Sequence, residues 1–288
     1  MQIAFQTVDG TRVRYAESGW PAERSILLTS PWPESVYAFA PIWPALSKRF
    51  HLLAVDLPGF GGSERRKELL SPSAMGEFLV RLVEERELGS PHIVAPDVGT
   101  SAALFAAASQ PSLFSSVVVG SGGAAVPIQL GGALEQWVLE PNLDRFRAID
   151  PRAIVGAALE TIKGHTLPAE IREDYLSSYM GDRFVESMRY ARSYPDELPK
   201  LAARLPEIEL PVLIFAGRHD RAVPLVNAEF LDERLPNSKL AILDAGHFVW
   251  EEAAGEYASM IADWVSDGYR NLSGVAGTSA LAATDRWR

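Results

Sequence analysis

Short apolar runs alternate with amphipathic stretches along most of the chain. In the stretches between the runs, apolar positions recur every three or four residues, which is the spacing of one helix face. This alternation is typical of a parallel sheet whose strands are connected by helices. Asp9-Gly10, between the first two runs, favours a tight hairpin turn. The predicted strands are Ile3–Val8, Val13–Glu17, Ile26–Thr29, Leu52–Asp56, His92–Ala95, Ser116–Gly120, Val212–Ala216 and Leu240–Leu243.

The stretch between the sixth and seventh predicted strands has no strong strand pattern. Its apolar spacing predicts helices at Leu134–Val138, at Arg152–Ile162 and, with a break near Gly181, at Glu170–Tyr194. Elsewhere the pattern predicts helices at Ser35–Lys48, Ser73–Glu87 and Glu251–Val265. We therefore predict a core domain formed by residues 1–121 and 207–268, a helical cap at residues 122–206, and a flexible tail of small and polar residues at 269–288.

The composition and charge of the chain favour some functional classes of protein and disfavour others. With 288 residues, of which 47% are hydrophobic and 22% charged, the chain has an ordinary globular composition and lacks an apolar run of about 18 residues. It has no cysteine and no pattern of a secretory leader, so we expect a cytoplasmic protein without membrane association, disulfides or thiolate metal sites. A net charge of −10 disfavours nucleic acid as a partner and favours a small neutral substrate. The sequence leaves a homo-oligomer open.

One segment has the layout of a nucleophile elbow. In Ala95-Pro96-Asp97-Val98-Gly99 a strand ends, small residues lie two positions before and after the aspartate, and a helix begins. A sharp turn between strand and helix requires small neighbours and raises the central side chain above the sheet. The residue raised in this way is Asp97, a carboxylate. Ser101 cannot take this position, because it lies four residues further on, within the helix. Taken alone, Asp97 fits a helix cap equally well.

Two further segments supply a candidate acid and a candidate base. Asp220 follows the strand Val212–Ala216, and His247 follows the strand that ends at Leu243. Open α/β sheets bind their ligands at the carboxyl ends of their strands, so these residues should meet Asp97 at one edge of the sheet. We predict a triad of nucleophile, acid and base in that order. The neighbouring His219 is expected to point away from it.

The turn Ser30–Ser35 is the candidate oxyanion turn. It follows the strand Ile26–Thr29, a position from which a backbone N–H can stabilise a developing oxyanion together with the N–H that follows the nucleophile. We assign these two donors to Trp32 and Val98. A cis peptide at Trp32-Pro33 is also predicted, as a mark of a tight turn.

With these residues in place, the chain resembles the α/β-hydrolase family, in particular its epoxide hydrolase and haloalkane dehalogenase branch. The likeness extends from about Thr7 to Val265 and is most specific at Asp56–Ser63, at the Asp97 elbow and at the acid and base segments. Members of this branch have an aspartate nucleophile, and the family's triad has the order seen here. The resemblance implies a mostly parallel, helix-flanked α/β-hydrolase sheet with an inserted helical cap domain. One departure is Ser30-Pro31, where the family usually has His-Gly.

An aspartate nucleophile implies hydrolysis in two steps. A carboxylate is ionised at neutral pH, so it can attack an sp³ carbon without a base, opening an epoxide or expelling a halide, and it becomes an ester. His247 then activates a water that attacks this ester, while Asp220 orients the imidazole. The reaction needs only a small-molecule substrate and water, and it requires no metal or organic cofactor.

The cap tyrosines bear on which substrate is attacked. Epoxide hydrolases of this family use cap tyrosines to protonate the ring oxygen, and tyrosines here would share one stripe of a continuous helix. The segment Ser187–Arg192 approximates the family's tyrosine motif but places its tyrosine one position early. Simple packing of the cap on the core explains the same stripe. The candidates are Tyr175, Tyr179, Tyr190 and Tyr194.

Halide release needs N–H donors for the leaving group. Family dehalogenases commonly have a tryptophan directly after the nucleophile, where this chain has Val98. Trp32 and Trp137 are the alternative donors, although Trp137 also suits packing. We therefore expect an epoxide hydrolase acting on a small apolar substrate first and a haloalkane dehalogenase second.

Two other interpretations stay open. One is a hydrolase of activated esters or lactones that uses the same triad. The other is a binding or cyclisation protein that kept the fold without hydrolysis; the departure at Ser30-Pro31 favours it, and the intact order of the triad opposes it.

Overall fold

One mostly parallel sheet organises the part of the chain that the structure describes. The structure is a computed structural model and describes residues 1–19 and 24–266, so the predicted tail at 269–288 lies outside the described residues. The strands are β1 Ile3–Val8, β2 Thr11–Glu17, β3 Ser25–Thr29, β4 His51–Val55, β5 His92–Pro96, β6 Ser116–Gly120, β7 Val212–Gly217 and β8 Ser238–Leu243. Among the described residues they form one sheet in the order β1-β2-β4-β3-β5-β6-β7-β8. The β1–β2 and β2–β4 pairs are antiparallel, and the remaining pairs are parallel.

The predicted strands are all present, and their ends differ from the predictions by one or two residues at most. The hairpin between β1 and β2 has the turn that Asp9-Gly10 favours, because both residues have positive φ, +47° and +69°. The fold class expected from the alternation of strands and helices is confirmed.

The helices lie on both faces of this sheet. Along β5, Ile93 and Ala95 belong to an apolar cluster that continues into the helices after β4 and β5, whereas Val94 belongs to a second cluster with the C-terminal helix. Alternate residues of a strand face opposite sides, so a strand buried on both sides is apolar throughout. The core helices are α1 Trp43–Leu46, α2 Pro72–Glu85 and α3 Gly99–Ser109, and after β7 they are α10 Val226–Arg234, α11 Val249–Glu252 and α12 Ala254–Ser266.

Between β6 and β7, the described chain contains only helices and loops. This insertion contains α4 Gly132–Leu139, α5 Asp144–Arg147, α6 Pro151–Leu159, α7 Ala169–Ser178, α8 Arg183–Arg192 and α9 Tyr194–Arg204. We call it the cap segment. The predicted break near Gly181 is present: Gly181, at φ +67°, lies between α7 and α8, so the tyrosines lack the shared stripe that a continuous helix would give them.

The prediction of one helix over Ser35–Lys48 is wrong. The structure has a 3₁₀ helix at Val36–Phe39 and the short α1, separated by a turn. Pro41 and Pro44 lack the N–H that a continuous helix would need, which explains the interruption. In residues 1–19 and 24–266, no helix is both long and apolar enough to cross a membrane.

Candidate active site

Asp97 lies at a strained turn between β5 and α3. Its φ is +54°, in the left-handed region that non-glycine residues rarely adopt, and its N–H donates to the carbonyl of Gly120 in β6 over 2.9 Å. A Cβ added to Gly99 would lie 2.2 Å from Oγ1 of Thr29, and one added to Gly122 would lie 2.3 Å from the carbonyl oxygen of Asp97. The turn therefore requires small neighbours, as an elbow does.

The two carboxylate oxygens of Asp97 have different surroundings. Oδ1 accepts a hydrogen bond from the backbone N–H of Trp32 over 2.9 Å, and Oδ2 lies 3.3 Å from Nε2 of His247. The Trp32-Pro33 peptide is cis, as predicted. Ser30-Pro31 thus still places the Trp32 amide on the carboxylate, although the family usually has His-Gly there.

His247 and Asp220 complete the geometry of a triad. Nδ1 of His247 lies 2.8 Å from Oδ2 of Asp220, and the other carboxylate oxygen of Asp220 accepts the N–H groups of Ala222 and Val223, each over 2.8 Å. These bonds hold Asp220 in one orientation. Burial alone would lower the pKa of His247, but the charge of Asp220 and hydrogen bonds to Asp220 and Asp97 raise it to about 10. The imidazole therefore carries a proton at neutral pH.

Val98 carries the second backbone N–H that is expected to serve the oxyanion. Its backbone N–H donates no hydrogen bond to Asp97 among the described residues, while its carbonyl accepts the hydroxyl proton of Tyr190 over 2.8 Å. Of the two expected oxyanion donors, Trp32 is the one whose N–H contacts the Asp97 carboxylate in the described chain.

The cap tyrosines fall into two pairs. Tyr175 donates to Oε1 of Glu251 over 3.0 Å, and the Tyr179 hydroxyl donates to the carbonyl of Glu34 and accepts from the N–H of Gly61. Both hydroxyls are therefore occupied by contacts other than Asp97. The structure places this pair against the loops that carry the site and not at the nucleophile itself.

The second pair lies against the elbow. Tyr190 donates to the Val98 carbonyl, and its hydroxyl oxygen lies 3.4 Å from Oγ of Ser101. The ring of Tyr194 packs edge-on against that of Tyr190, with 5.9 Å between the ring centroids. Burial raises the pKa of Tyr194, and the neighbouring Tyr190 and Asp97 raise it further. Tyr194 therefore lies beside Tyr190, and its hydroxyl makes no backbone hydrogen bond in the described chain.

The tryptophans form an aromatic wall beside Asp97. The Trp32 indole stacks on Phe184 at 5.2 Å, and its Nε1–H donates to Oγ of Ser187 over 2.9 Å. Trp137, which is half-buried, packs edge-on against both Trp32 and Phe184. The Trp32 indole N–H is thus already paired with the cap segment.

An ion-pair cluster that the sequence pattern did not indicate connects the cap segment to the core. The guanidinium of Arg14 contacts the buried carboxylate of Asp56 and also binds both carboxylate oxygens of Asp174 in α7, over 2.7 and 3.0 Å. Asp56 further accepts the N–H groups of Val36 and Gly62. No regular spacing along the sequence relates Arg14, Asp56 and Asp174, so only the folded chain reveals the cluster.

Histidines and acidic residues elsewhere do not extend the site. His219 pairs with Asp244 over 2.9 Å, and both side chains are exposed, so His219 points away from the triad as expected. In residues 1–19 and 24–266 no group of three or more His, Cys, Asp or Glu side chains is arranged to hold a metal ion.

Comparisons with known proteins agree with this architecture. The family model described as the alpha/beta hydrolase fold matches residues 24–254. An uncharacterized hydrolase of Bacillus subtilis, YugF, is 25% identical over 267 residues, which cover 90% of this chain and 96% of YugF. A 2-hydroxy-6-oxononadienedioate/2-hydroxy-6-oxononatrienedioate hydrolase of Burkholderia vietnamiensis is 26% identical over 282 residues, 89% of this chain and 92% of that protein.

A similar fold occurs in the epoxide hydrolase CorEH. That structure superposes with a TM-score of 0.77 at 19% identity and covers 93% of this chain and 99% of its own. At this identity the likeness concerns the fold. Because the family model extends over most of the sequence, from just before β3 to the start of α12, the chain belongs to the α/β-hydrolase fold family.

Proposed function

We propose that the protein is a hydrolase that acts through an ester of Asp97, and that its substrate is a small apolar epoxide. The observation that carries this proposal is the position of the Asp97 carboxylate at the elbow, with Oδ1 on the Trp32 amide and Oδ2 facing His247. A residue that only capped α3 would have its carboxylate on the helix N–H groups instead.

In the first step, Oδ2 of Asp97 attacks an epoxide carbon, a new carbon–oxygen bond forms, and the ring carbon–oxygen bond breaks. The electron pair of the broken bond stays on the ring oxygen, which takes a proton from the Tyr194 hydroxyl; solvent then returns a proton to that hydroxyl. Oδ1 becomes the carbonyl oxygen of the ester and keeps its hydrogen bond to Trp32.

In the second step, water attacks Cγ of the Asp97 ester while Nε2 of His247 takes its proton. Negative charge develops on Oδ1, where the Trp32 N–H already lies at 2.9 Å. The tetrahedral intermediate then collapses, the bond from Cγ to Oδ2 breaks so that Oδ2 leaves in the diol, the water oxygen stays on Cγ, and the proton held by His247 passes to the departing diol. The carboxylate of Asp97 is thereby restored.

Ester formation also prepares His247 to act as a base. In the free protein, Asp97 is one of the groups that raise the His247 pKa to about 10. Because an ester has no charge, the first step removes this contribution and lowers the His247 pKa. The imidazole therefore releases its proton to solvent more readily at the stage when a base is required.

The choice of nucleophile favours attack on an sp³ carbon over attack on an acyl group. A carboxylate that attacks an ester or lactone must form a mixed anhydride, which is more reactive than the starting ester, so this equilibrium is unfavourable. Attack on an epoxide or alkyl halide gives an ordinary ester. We therefore rank ester and lactone hydrolysis below alkyl transfer to Asp97.

The contacts around Asp97 favour an epoxide over a halide. A leaving halide needs N–H donors, but the Trp32 indole donates to Ser187 and Val98 has no side-chain donor. A ring oxygen needs a proton, and Tyr194, whose ring packs against the Tyr190 ring beside Val98, has a hydroxyl that makes no backbone hydrogen bond in the described chain. Haloalkane dehalogenation is the second candidate.

Single turnover in ¹⁸O-labelled water tests the mechanism. Enzyme in excess is mixed with each member of a panel of epoxides, haloalkanes and activated esters, and the peptide that contains Asp97 is then analysed by mass spectrometry. Label in Asp97 after epoxide turnover is the expected result, because water attacks Cγ of the ester.

The variant Asp97→Ala should abolish turnover, and Asp244→Asn, an exposed carboxylate, provides the matched control. Unchanged turnover in Asp97→Ala, or label that appears only in the product, rules out the ester mechanism. Label in Asp97 with haloalkanes but not with epoxides supports the second candidate. No turnover of any panel member supports a non-hydrolytic protein with this fold.

A further inference from the structure

Two glutamates beneath the site, Glu34 and Glu251, have almost no solvent exposure, 0% and 3%. Each has one carboxyl oxygen with a donor: Nε1–H of Trp250 donates to Oε2 of Glu34 over 2.7 Å, and the Tyr175 hydroxyl donates to Oε1 of Glu251 over 3.0 Å. The other two oxygens, Oε1 of Glu34 and Oε2 of Glu251, are buried and have no donor among the described residues. Buried polar atoms normally have partners, so this pair requires an explanation.

The two carboxyl groups are within hydrogen-bond contact of each other. Neither forms an ion pair with a lysine or arginine in the described chain. Two ionised carboxylates in contact inside a protein repel strongly, whereas a proton placed between them satisfies both unpaired oxygens in one hydrogen bond.

We propose that Glu34 and Glu251 share one proton and form a positioning unit that holds the oxyanion turn, the His247 loop and the cap segment together. Glu34 follows Trp32 by two residues, Glu251 follows His247 by four, and Tyr175 belongs to α7 of the cap segment. We call these two glutamates the acidic pair. It touches no reacting atom in this arrangement and acts through the residues that it holds.

The acidic pair is also placed to influence the triad through Trp250. The Trp250 ring lies edge-on to His247 with 6.0 Å between ring centroids, and its indole N–H is bound by Glu34. If the proton is lost, two negative charges face each other and the carboxyl groups must separate. Such a separation displaces the Trp32 turn relative to the His247 loop. These are the two segments that contact Asp97.

The charged groups that face the pair help it to retain its proton. Burial raises the pKa of Glu34 first, followed by the charge of Glu251 and, more weakly, that of Asp97. Burial also raises the pKa of Glu251, to about 7, against the lowering effect of its hydrogen bonds to Tyr175 and Glu34, and the charge of Glu252 adds a smaller increase. The ionisable groups that face the acidic pair are thus the carboxylates of Asp97 and Glu252 and the phenol of Tyr175.

The sign of the pH dependence follows from these raised values. An unfolded glutamate has a pKa of about 4.3, so the stability that the protonated pair contributes is complete below that pH. It is lost as the pH rises from about 4.3 towards 7, where the folded pair releases its proton. Above that range the contribution no longer changes.

Glutamine at either position mimics the shared proton. In Glu251→Gln, the side-chain oxygen can accept the Tyr175 hydroxyl while the amide N–H donates to Oε1 of Glu34, and the pair keeps one negative charge at every pH. Glu34→Gln gives the mirror arrangement, with Trp250 as the donor to its oxygen. Glu256→Gln, in the exposed part of α12, is the matched control.

The first experiment tests the shared proton without any substrate. Infrared spectra of protein with ¹³C-labelled glutamate should show a protonated carboxyl band near pH 6 that is lost in both Glu34→Gln and Glu251→Gln and kept in Glu256→Gln. Urea unfolding from about pH 4.5 to 7 should show wild-type stability falling relative to Glu251→Gln. Absence of the band in the wild type, or parallel stability curves, overturns the shared proton.

The second experiment tests the positioning role, which rests on the proposed function. In single turnover of the wild type, the rate of ester hydrolysis should fall with rising pH as the pair loses its proton. This descending limb of the pH–rate profile should be absent in Glu251→Gln. Glu251→Ala should slow hydrolysis about 10²-fold, because small displacements of catalytic groups have effects of this size, and Gln should restore most of the rate. An unchanged descending limb in both Gln variants overturns the positioning role. If no substrate forms an ester at all, the proposed function fails while the infrared result still stands.

Discussion

Nε2 of His247 lies 3.3 Å from Oδ2 of Asp97, on the opposite side of the carboxylate from the Trp32 amide. The imidazole therefore faces the oxygen that would carry the substrate, while Oδ1 is held where the charge of a tetrahedral intermediate develops. This division of the two oxygens suits a nucleophile that is esterified and then hydrolysed. It also makes the two half-reactions separable by mutation.

Replacing His247 by glutamine should separate them. Asp97 needs no base to attack an sp³ carbon, so His247→Gln should still form the ester but hydrolyse it about 10²- to 10⁴-fold more slowly. Intact-protein mass spectrometry after mixing with epoxide should show stoichiometric addition of the substrate mass. His219→Gln, at an exposed histidine, should turn over like the wild type. Fast release of product by His247→Gln would show that His247 is not the base.

Replacing Asp220 by asparagine should preserve the fold and impair the base. The side-chain oxygen of asparagine can still accept the Ala222 and Val223 N–H groups, but its amide then donates to Nδ1 of His247. This favours the tautomer with a proton on Nε2, which cannot accept a proton from water. We expect turnover to drop by about 10⁴-fold. A comparable loss in Asp244→Asn would point to a general effect of charge on the enzyme.

The strands and the triad were predictable because each depends on local chemistry. Apolar runs define the buried strands, and parallel strands bring the residues at their carboxyl ends together, so Asp97, Asp220 and His247 could be placed at one edge without coordinates. The Trp32 turn was predictable for the same reason. Its atomic partner, Oδ1 of Asp97, was not, because a backbone amide leaves no pattern in the sequence.

The cap segment was less predictable because its contacts are set by tertiary packing. The break near Gly181 was predicted, but the spacing did not reveal that Tyr175 contacts Glu251 and Tyr190 contacts Val98. The acidic pair joins residues more than 200 positions apart, at the start and near the end of the catalytic core. No periodicity relates such positions, so the pair becomes visible only when burial and hydrogen bonds are known.

Removing the two elbow-facing hydroxyls in turn should identify the proton donor. Tyr194→Phe should lower epoxide turnover by about 10²-fold, since it removes a general acid, and should leave any haloalkane turnover nearly unchanged because a halide leaves without a proton. Tyr190→Phe removes the hydrogen bond to the Val98 carbonyl, so it should destabilise the protein by about 1 kcal/mol with a smaller effect on rate. Steady-state kinetics and urea unfolding of both variants measure these effects. A larger rate loss in Tyr190→Phe would assign the acid to Tyr190.

The charged imidazole between Asp97 and Asp220 should make stability depend on pH above neutrality. The pKa of His247 is raised to about 10 in the folded chain, against about 6.5 for an unfolded histidine. A raised pKa means that the folded state binds the proton more tightly, so the stabilisation is complete below about pH 6.5 and is lost as the pH rises towards 10. The slope within this window is at most ~1.4 kcal/mol per pH unit. Urea unfolding of the wild type and His247→Gln across the window should give curves that converge with rising pH, whereas parallel curves would show that His247 is neutral in the resting protein. This window begins near the pH at which the acidic pair has released its proton and its stabilising contribution is lost. The contributions of His247 and of the acidic pair to stability can therefore be measured separately in one pH series.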